Sequence, residues 1–298
     1  MQVVHGRTDR QLIVLNKLNH PIGPTKAVVT EFFSFLGTLA RNETFCPLNL
    51  TWTKLKTHDK MWSYIQEKYD ILNNGKDWAI RSIDAAFRGC KSRLKKDHFY
   101  AYPNDEIRRE KRPTSVPEPI FDDILAYWNL EEAENTFKTN KENRKKFKYP
   151  HTMGKTSFAL IRKGKKTKNS GALSNKKFFV ATRTRKPNRI YKDLSEEITN
   201  KIVEMERVET QEIEDSTQST DAFTKVMGPD HHGRVRLLGG GVIKTLIKQK
   251  ASDSGSSSKS DELVEKRLDD LEERMQKRMN AQRDVIEREV TMNIFAQL

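Results

Sequence analysis

The charge of this chain is so unevenly distributed that it argues against one compact fold for all 298 residues. Residues 137–193 contain 19 basic and two acidic residues, whereas residues 1–136 contain 20 basic and 18 acidic ones. A segment with this excess of positive charge repels itself and has few apolar side chains to bury. Over the whole chain 35% of residues are hydrophobic and 32% are charged. We therefore expect several smaller units.

The positively charged segment predicts a polyanionic partner, because lysine and arginine side chains that bind phosphates release condensed counterions. Nucleic acid is the partner we expect, since aromatic residues interleave with the basic ones. Residues 162–168 are also typical of a nuclear import signal, and we expect a nuclear protein. Import alone needs far fewer than 19 basic residues. We assign DNA contact in this segment to Arg144, Lys145, Lys146, Lys155, Arg162, Lys163, Lys165, Lys166 and Lys168.

Apolar residues recur at helical spacing on both sides of the basic segment, which predicts a mainly α fold. The fold we expect has a helical N-terminal domain, a basic and partly disordered middle, and a C-terminal coiled coil. We expect a short strand or two, including residues 11–15, before the first helix. The predicted helices are 27–41, 54–69, 77–94, 120–137, 194–214 and 221–227. Tryptophans on the apolar stripes favour core packing over base stacking. They are Trp52, Trp62, Trp78 and Trp128.

The third predicted helix, residues 77–94, has an apolar stripe on one side and basic residues on or beside the other. This combination is typical of helices that enter a DNA groove. We expect Asp77 to cap the helix. We expect Arg88, Lys91 and Lys95 to be presented to DNA as the surface that reads its sequence.

A long charged helix follows the serine-rich residues 251–260, which are typical of a flexible linker. Its apolar positions, with Gln282 included, follow an eleven-residue repeat of ~3.67 residues per turn. This spacing predicts a self-associating coiled coil and a homo-oligomer, the alternative being a lone charged helix. The predicted core residues are Val264, Leu268, Leu271, Met275, Met279, Ile286 and Val290.

Five regions follow from these patterns. Residues 1–112 form the helical N-terminal domain. The others are 113–193, a helix with the basic DNA-contacting segment; 194–250, an acidic helix with a glycine-rich turn; 251–260, the linker; and 261–298, the coiled coil.

The sequence contains no pattern that we assign to catalysis, a cofactor or a metal ion. Two-metal strand cleavage needs three carboxylates on a sheet, and the acidic residues here lie on amphipathic helices. Residues 154–156 lack the leading glycine of a phosphate-binding loop, since Tyr149 occupies its position. His231 and His232 have no companion cysteine pair. No stretch approaches the ~18 uncharged residues of a membrane span, so we expect no membrane partner.

A series of short motifs runs along most of the chain. They are Leu15-Asn16, Pro21-Ile22-Gly23, the run 35–41, Trp52, Trp62, Trp78, Phe87, Lys91, Leu94, Lys95, Tyr127-Trp128, 140–144, 151–158, 223–230, 233–236 and 239–241. In this order they resemble the plant Ptta/En/Spm-type transposase family of CACTA-class DNA transposons, over about residues 10–245. The resemblance implies a nuclear, transposon-derived protein that acts on DNA, with the strand-cleaving nuclease as a separate, larger product. After Lys165 the chain departs from the family's fuller pattern.

The function predicted from these observations is binding of transposon DNA by an accessory or transposase-family protein. A catalytically active DNA transposase is one alternative, and metal-dependent strand cleavage would identify it. A host-retained regulatory or structural protein that assembles through its tail is the other. Oligomers without affinity for DNA would identify that protein.

Overall fold

The computed structural model describes residues 2–146, 149–153, 156–168, 173–183, 196–214, 221–230, 235–240 and 242–252. The fold is mainly α, as the sequence predicts. The chain divides into one compact unit, Met1–Lys244, and a second, Thr245–Leu298. The predicted coiled-coil core lies outside the described residues, and the five regions drawn from the sequence stay predictions.

The elements of the compact unit fall into two groups, those before residue 100 and those after it. The first group is α1 (Gln2–His5), β1 (Gln11–Leu12), β2 (Val14–Leu15), β3 (Pro21–Gly23), α2 (Lys26–Leu39), α3 (His58–Lys68), β4 (Tyr69–Asp70) and α4 (Lys76–Leu94), continued by a π-helical turn, Lys95–Phe99. The second group is α5 (Asp105–Glu110), α6 (Glu118–Trp128), α7 (Glu131–Lys145), α8 (Phe158–Lys168), α9 (Asn175–Arg183), α10 (Glu196–Glu214) and α11 (Ala222–Met227). Helix α12 (Lys244–Ser252) begins at the boundary between the units.

Helix α2 begins where a capping side chain and an apolar stripe coincide. The Thr25 backbone is extended, and its Oγ1 accepts a hydrogen bond from the Val28 N–H at 3.2 Å, which satisfies a donor left free by the first turn. Each large apolar side chain that the helix buries contributes about 1.5–3 kcal/mol. The first hydrophobic cluster joins α2, α3 and α4 and includes Phe32, Phe35, Leu39, Met61, Ile65, Ile83 and Phe87.

Two short strand pairs lie beside this cluster. Strand β1 pairs in parallel with β4, and β2 pairs antiparallel with β3 to form the β2–β3 hairpin. The Oδ1 atom of Asn16 accepts the N–H groups of Leu18 and His20, both at 2.9 Å, and so holds the hairpin turn. Residues 11–15, expected to form a short strand or two, therefore supply the two strands β1 and β2, which pair with different partners.

A second cluster follows the end of α4, and here one predicted helix becomes two. Residues 120–137 were expected to form a single helix, but α6 ends at Trp128 and α7 begins at Glu131. The backbone of Leu130 between them is extended, with φ −68° and ψ 137°. The apolar stripe of α6 stops at Trp128, so the polar residues that follow have no reason to continue along the same core. The second cluster is Leu94, Phe99, Val116, Phe121, Ile124, Leu125 and Trp128.

A third cluster gathers the helices of the basic segment and the acidic helix. Residues 138–189 were expected to be only partly ordered, and their described part includes the helices α8 and α9. Phe178 and Phe179 of α9 are fully buried, so this segment contributes to a core. The cluster is Phe178, Phe179, Ile198, Met205, Phe223 and Leu237.

The tryptophans confirm the prediction of core packing. Trp62 and Trp128 are buried, and Trp52 and Trp78 pack against the first cluster as partly buried residues.

Candidate nucleic-acid interface

Helix α4 positions the first group of predicted DNA-contacting residues. Gly75 occupies the N-cap, and Asp77, which was expected there, lies in the first turn, where a carboxylate suits the helix dipole. The helix turns one apolar stripe toward α2 and α3, and this fixes which side faces away. The buried side of α4 consists of Ala79, Ile83, Phe87 and Leu94.

The opposite side of α4 is open and basic. Five of its exposed residues follow one another at spacings of three or four, so they lie in one line along the helix and the turn that continues it. We call this line the α4 basic face: Arg81, Ala85, Arg88, Ser92 and Lys96. The small side chains of Ala85 and Ser92 leave room between the three cations. Arg88 Nη2 lies 2.8 Å from Asp84 Oδ2, but the Arg88 side chain is 70% exposed, so this surface pair holds it only weakly.

Lys91 lies beside this face and is half-buried. Its Nζ donates a hydrogen bond to the Leu50 carbonyl at 3.0 Å. The same atom lies 5.5 Å from the ring centroid of Phe87 and 5.9 Å from that of Tyr127. Burial lowers the pKa of Lys91.

Lys95 is the most enclosed of the three predicted residues on this helix, with 6% of its surface exposed. Four aromatic rings surround its Nζ, with centroids at 4.9–5.8 Å, an arrangement that stabilises a cation through the ring quadrupoles. Burial lowers the pKa of Lys95, and the charge of Glu134 opposes that effect. We call this group the Lys95 cage: Phe99, Tyr100, Trp128 and Phe137.

Arg88, Lys91 and Lys95 therefore do not form one open surface, contrary to the arrangement predicted from the sequence. Helices α6 and α7 supply Trp128 and Phe137 and cover this end of α4, which is why Lys95 is enclosed. Contact of these residues with DNA stays a prediction. Arg81 and Lys96 were not predicted to contact DNA, although their spacing from Arg88 along the helix was a usable signal.

The basic end of α7 lies fully open. Arg144, Lys145 and Lys146 are exposed, as a DNA-contacting role requires. Lys145 Nζ lies 2.8 Å from Glu142 Oε1 in an exposed pair that a phosphate can replace. The predicted residue Lys155 lies outside the described part of the chain.

Helix α8 uses its basic residues in different ways. Arg162 is half-buried, with its guanidinium carbon 4.1 Å from the Phe178 ring centroid, and burial lowers its pKa. It thus packs against the third cluster. Lys163 and Lys165 are exposed. Lys166 and Lys168 belong to the helix, but their side chains lie outside the described residues.

Arg183, at the end of α9, is a second basic residue used for packing. Its guanidinium carbon lies 4.0 Å from the Phe179 ring centroid, and its Nη1 donates to Thr182 Oγ1 at 2.8 Å. Burial lowers the pKa of Arg183 to about 10. Two basic side chains of the segment, Arg162 and Arg183, therefore pack against the third cluster.

The β2–β3 hairpin receives two pieces of the second half of the unit. Lys163 Nζ donates a hydrogen bond to the Ile22 carbonyl at 3.1 Å. The backbone of Gly240 hydrogen-bonds to the buried ring of His20, whose pKa is lowered by burial. Gly239, with φ +96°, lies so close that a Cβ there would meet the His20 ring at 3.4 Å. Helix α8 and the glycine-rich turn are thereby fixed to the hairpin.

The motif residues after α11 form a braced turn. The Arg236 guanidinium donates to the carbonyls of Met227 at 2.7 Å and Pro229 at 2.9 Å. A cavity of about 110 Å³ lies beside this turn, between Asn175, Asp230 and Arg236. This volume is well below the roughly 300 Å³ at which small-molecule pockets begin.

Within the ranges that the structure describes, no three His, Cys, Asp or Glu side chains are grouped so that they could hold a metal ion. Over the same part of the chain, no helix combines the length and apolar character needed to cross a membrane.

Comparison with known proteins finds a family match in the second half of the compact unit. No curated protein and no solved structure matches the chain. The sequence model of the family described as plant transposase (Ptta/En/Spm family) matches residues 117–245. The matched segment begins at the N-cap of α6, includes α7 and the basic helix α8, and ends at the start of α12. Residues 117–245 are therefore similar in sequence to the plant transposase family of the Ptta/En/Spm type.

Proposed function

We propose that this chain is a DNA-binding accessory protein of a plant DNA transposon, and that a separate transposase cleaves the DNA strands. The observation that carries the proposal is the α4 basic face, where Arg81, Arg88 and Lys96 are exposed in one line on a helix held by a hydrophobic cluster. The transposase family match supports DNA as the partner.

Two surfaces contribute to binding in this proposal. The α4 basic face is a rigid helix side of the kind that enters a major groove, so it is where sequence preference would arise. The exposed cations at the end of α7 and on α8 add contacts to phosphates, which increase affinity for every sequence alike.

The test is duplex binding followed by fluorescence anisotropy at several salt concentrations. The triple variant Arg81→Ala, Arg88→Ala, Lys96→Ala is expected to bind at least tenfold more weakly. The slope of log K against log salt should fall in magnitude by about 2.7, at 0.9 per lost phosphate contact. A control that removes the same charge from other exposed positions is Lys26→Ala, Lys54→Ala, Lys60→Ala. Wild-type affinity in the first variant would refute the role of α4.

Sequence recognition needs its own comparison. The wild-type chain is measured on the terminal sequence of the source element and on a shuffled duplex of equal length. If α4 reads bases, the triple variant loses mainly the preference for the terminal sequence. An equal loss on both duplexes would limit α4 to phosphate anchoring.

The proposal includes nuclear import through residues 162–168. A fluorescent fusion of the wild-type chain is expected to accumulate in nuclei, and replacement of Lys163, Lys165, Lys166 and Lys168 by alanine should abolish this. Nuclear accumulation of the substituted fusion would contradict the assignment.

The proposal also includes self-association through the tail, since linked DNA-binding arms gain avidity on repeated sites such as transposon ends. Sedimentation compares the full chain with a version that ends at Lys250. We expect an oligomer from the first and a monomer from the second. Two monomers at micromolar concentration would exclude the tail as an assembly element.

A further inference from the structure

Two exposed tyrosines lie beside helix α4, next to its basic face. Tyr127 of α6 is 43% exposed, and Tyr100, which follows the π-helical turn, is 48% exposed. The Tyr127 ring centroid lies 5.9 Å from Lys91 Nζ, and the Tyr100 centroid lies 5.3 Å from Lys95 Nζ. These two lysines are four residues apart, so they lie about one helical turn apart along the same side of the helix, each with a tyrosine ring beside it.

Tyr100 is supported from behind. Its ring packs against Phe137, with centroids 5.2 Å apart, and meets Phe99 edge to face at 5.3 Å. These contacts fix part of the ring surface and leave nearly half of the residue in water. A supported and exposed ring loses little conformational freedom when a planar ligand stacks on it.

The neighbouring charge points to the chemistry of the ligand. Each tyrosine has a lysine beside its ring, and the cations of the α4 basic face lie on the same helix. Aromatic rings beside a basic surface are the combination with which proteins bind single-stranded nucleic acid, because bases stack on the rings while phosphates meet the cations. In an intact duplex the bases stack on each other, so their faces are closed to these rings.

We propose that Tyr100 and Tyr127 stack with unpaired bases of DNA whose phosphates are held by the α4 basic face. This inference rests on the proposed function and restricts the DNA ligand to one that contains unpaired bases. The preferred ligand is a duplex that carries unpaired nucleotides at an end or a gap. A protein ligand for the same tyrosines would give no preference between an intact and an extended duplex.

The test compares a fluorescein-labelled duplex with the same duplex extended by a short single strand. We expect the wild-type full chain to bind the extended duplex about tenfold more tightly. Tyr127→Ala and the double variant Tyr100→Ala, Tyr127→Ala should lose this preference and keep the affinity for the plain duplex. Tyr100→Phe with Tyr127→Phe should keep it, because a phenyl ring stacks without the hydroxyl.

The control is Leu130→Ala, which removes a neighbouring apolar side chain that is 53% exposed and cannot stack as a ring. Circular dichroism shows whether each variant is folded, and Tyr127→Ala serves if the loss of Tyr100 disturbs the Lys95 cage. An equal affinity of the wild-type chain for both DNAs, or an undiminished preference in Tyr127→Ala, overturns the inference while the proposed function stands. Failure to bind either DNA refutes the proposed function itself.

Discussion

Lys95 and Lys96 are adjacent in the chain and have opposite environments. Lys95 is enclosed by the Lys95 cage, whereas Lys96 is exposed on the α4 basic face. The ammonium of Lys95 exchanges water for four aromatic rings, so its side chain belongs to the packing of α4 against α6 and α7. The two neighbouring lysines therefore have different roles: Lys95 packs between helices, and Lys96 lies on the exposed surface.

We predict that Lys95→Ala lowers the free energy of unfolding by about 2 kcal/mol, because it removes the packed stem and the cation between the rings. Lys96→Ala is the matched control and should change the free energy of unfolding by less than about 0.5 kcal/mol. Urea denaturation measures both. Equal stabilities of the two variants would show that the cage does not stabilise the fold.

Cys46 gives a prediction about reactivity. Burial raises the pKa of the Cys46 thiol to about 12, whereas Cys90 is only half-buried. Alkylation requires the thiolate, so Cys46 should react far more slowly with iodoacetamide at pH 8.5 in the folded chain than in urea. Because the folded-state pKa is the higher one, this group stabilises the fold at neutral pH and loses its contribution as pH rises toward 12. Peptide mass spectrometry gives the two rates, and equal rates would contradict the burial of Cys46.

At the scale of the elements, the helix predicted over residues 27–41 formed because its signal is local. Thr25 and the apolar stripe behind it are close in sequence, and α2 begins at Lys26 as these residues indicate. The burial of Lys95 could not be predicted from local sequence patterns. It follows Arg88 by seven residues and so falls on the same side of a regular helix, but Trp128 and Phe137 cover it. No periodicity of α4 contains that information, because the covering residues Trp128 and Phe137 belong to helices that come later in the chain.

The contact between the glycine-rich turn and the β2–β3 hairpin can be tested at one glycine. Gly239→Ala places a side chain at φ +96° and against the His20 ring, so we expect a loss of about 1–3 kcal/mol in the free energy of unfolding. Gly240→Ala is the control, since a Cβ there meets nothing within 4 Å. Thermal unfolding compares the two variants. A Gly239→Ala variant as stable as wild type would mean that the turn does not depend on this contact.

At the scale of the molecule, the start of the family match does not coincide with the edge of a core. The second cluster contains Leu94 and Phe99, which precede residue 117, together with Phe121 and Trp128, which follow it. The compact unit likewise extends from Met1 to Lys244. The members of this cluster that do not belong to α6, Leu94, Phe99 and Val116, therefore all come from outside the matched segment.

A fragment of residues 117–245 is accordingly expected to unfold without a cooperative transition, because α6 would expose its buried side. A fragment of residues 1–245 should keep the transition of the full chain. Thermal denaturation followed by circular dichroism distinguishes them. A sharp transition in the shorter fragment, at the temperature of the longer one, would show that the matched segment folds alone.

The ring pair Phe99 and Trp128 has a consequence for the history of such chains. Their centroids lie 5.5 Å apart, edge to face, and they come from opposite sides of residue 117. A change in the size of one ring leaves a void or a clash that the other must absorb. In relatives that possess both parts, these two positions should co-vary. A recombination event that joined the matched segment to a foreign N-terminal part would have to supply a new partner for Trp128.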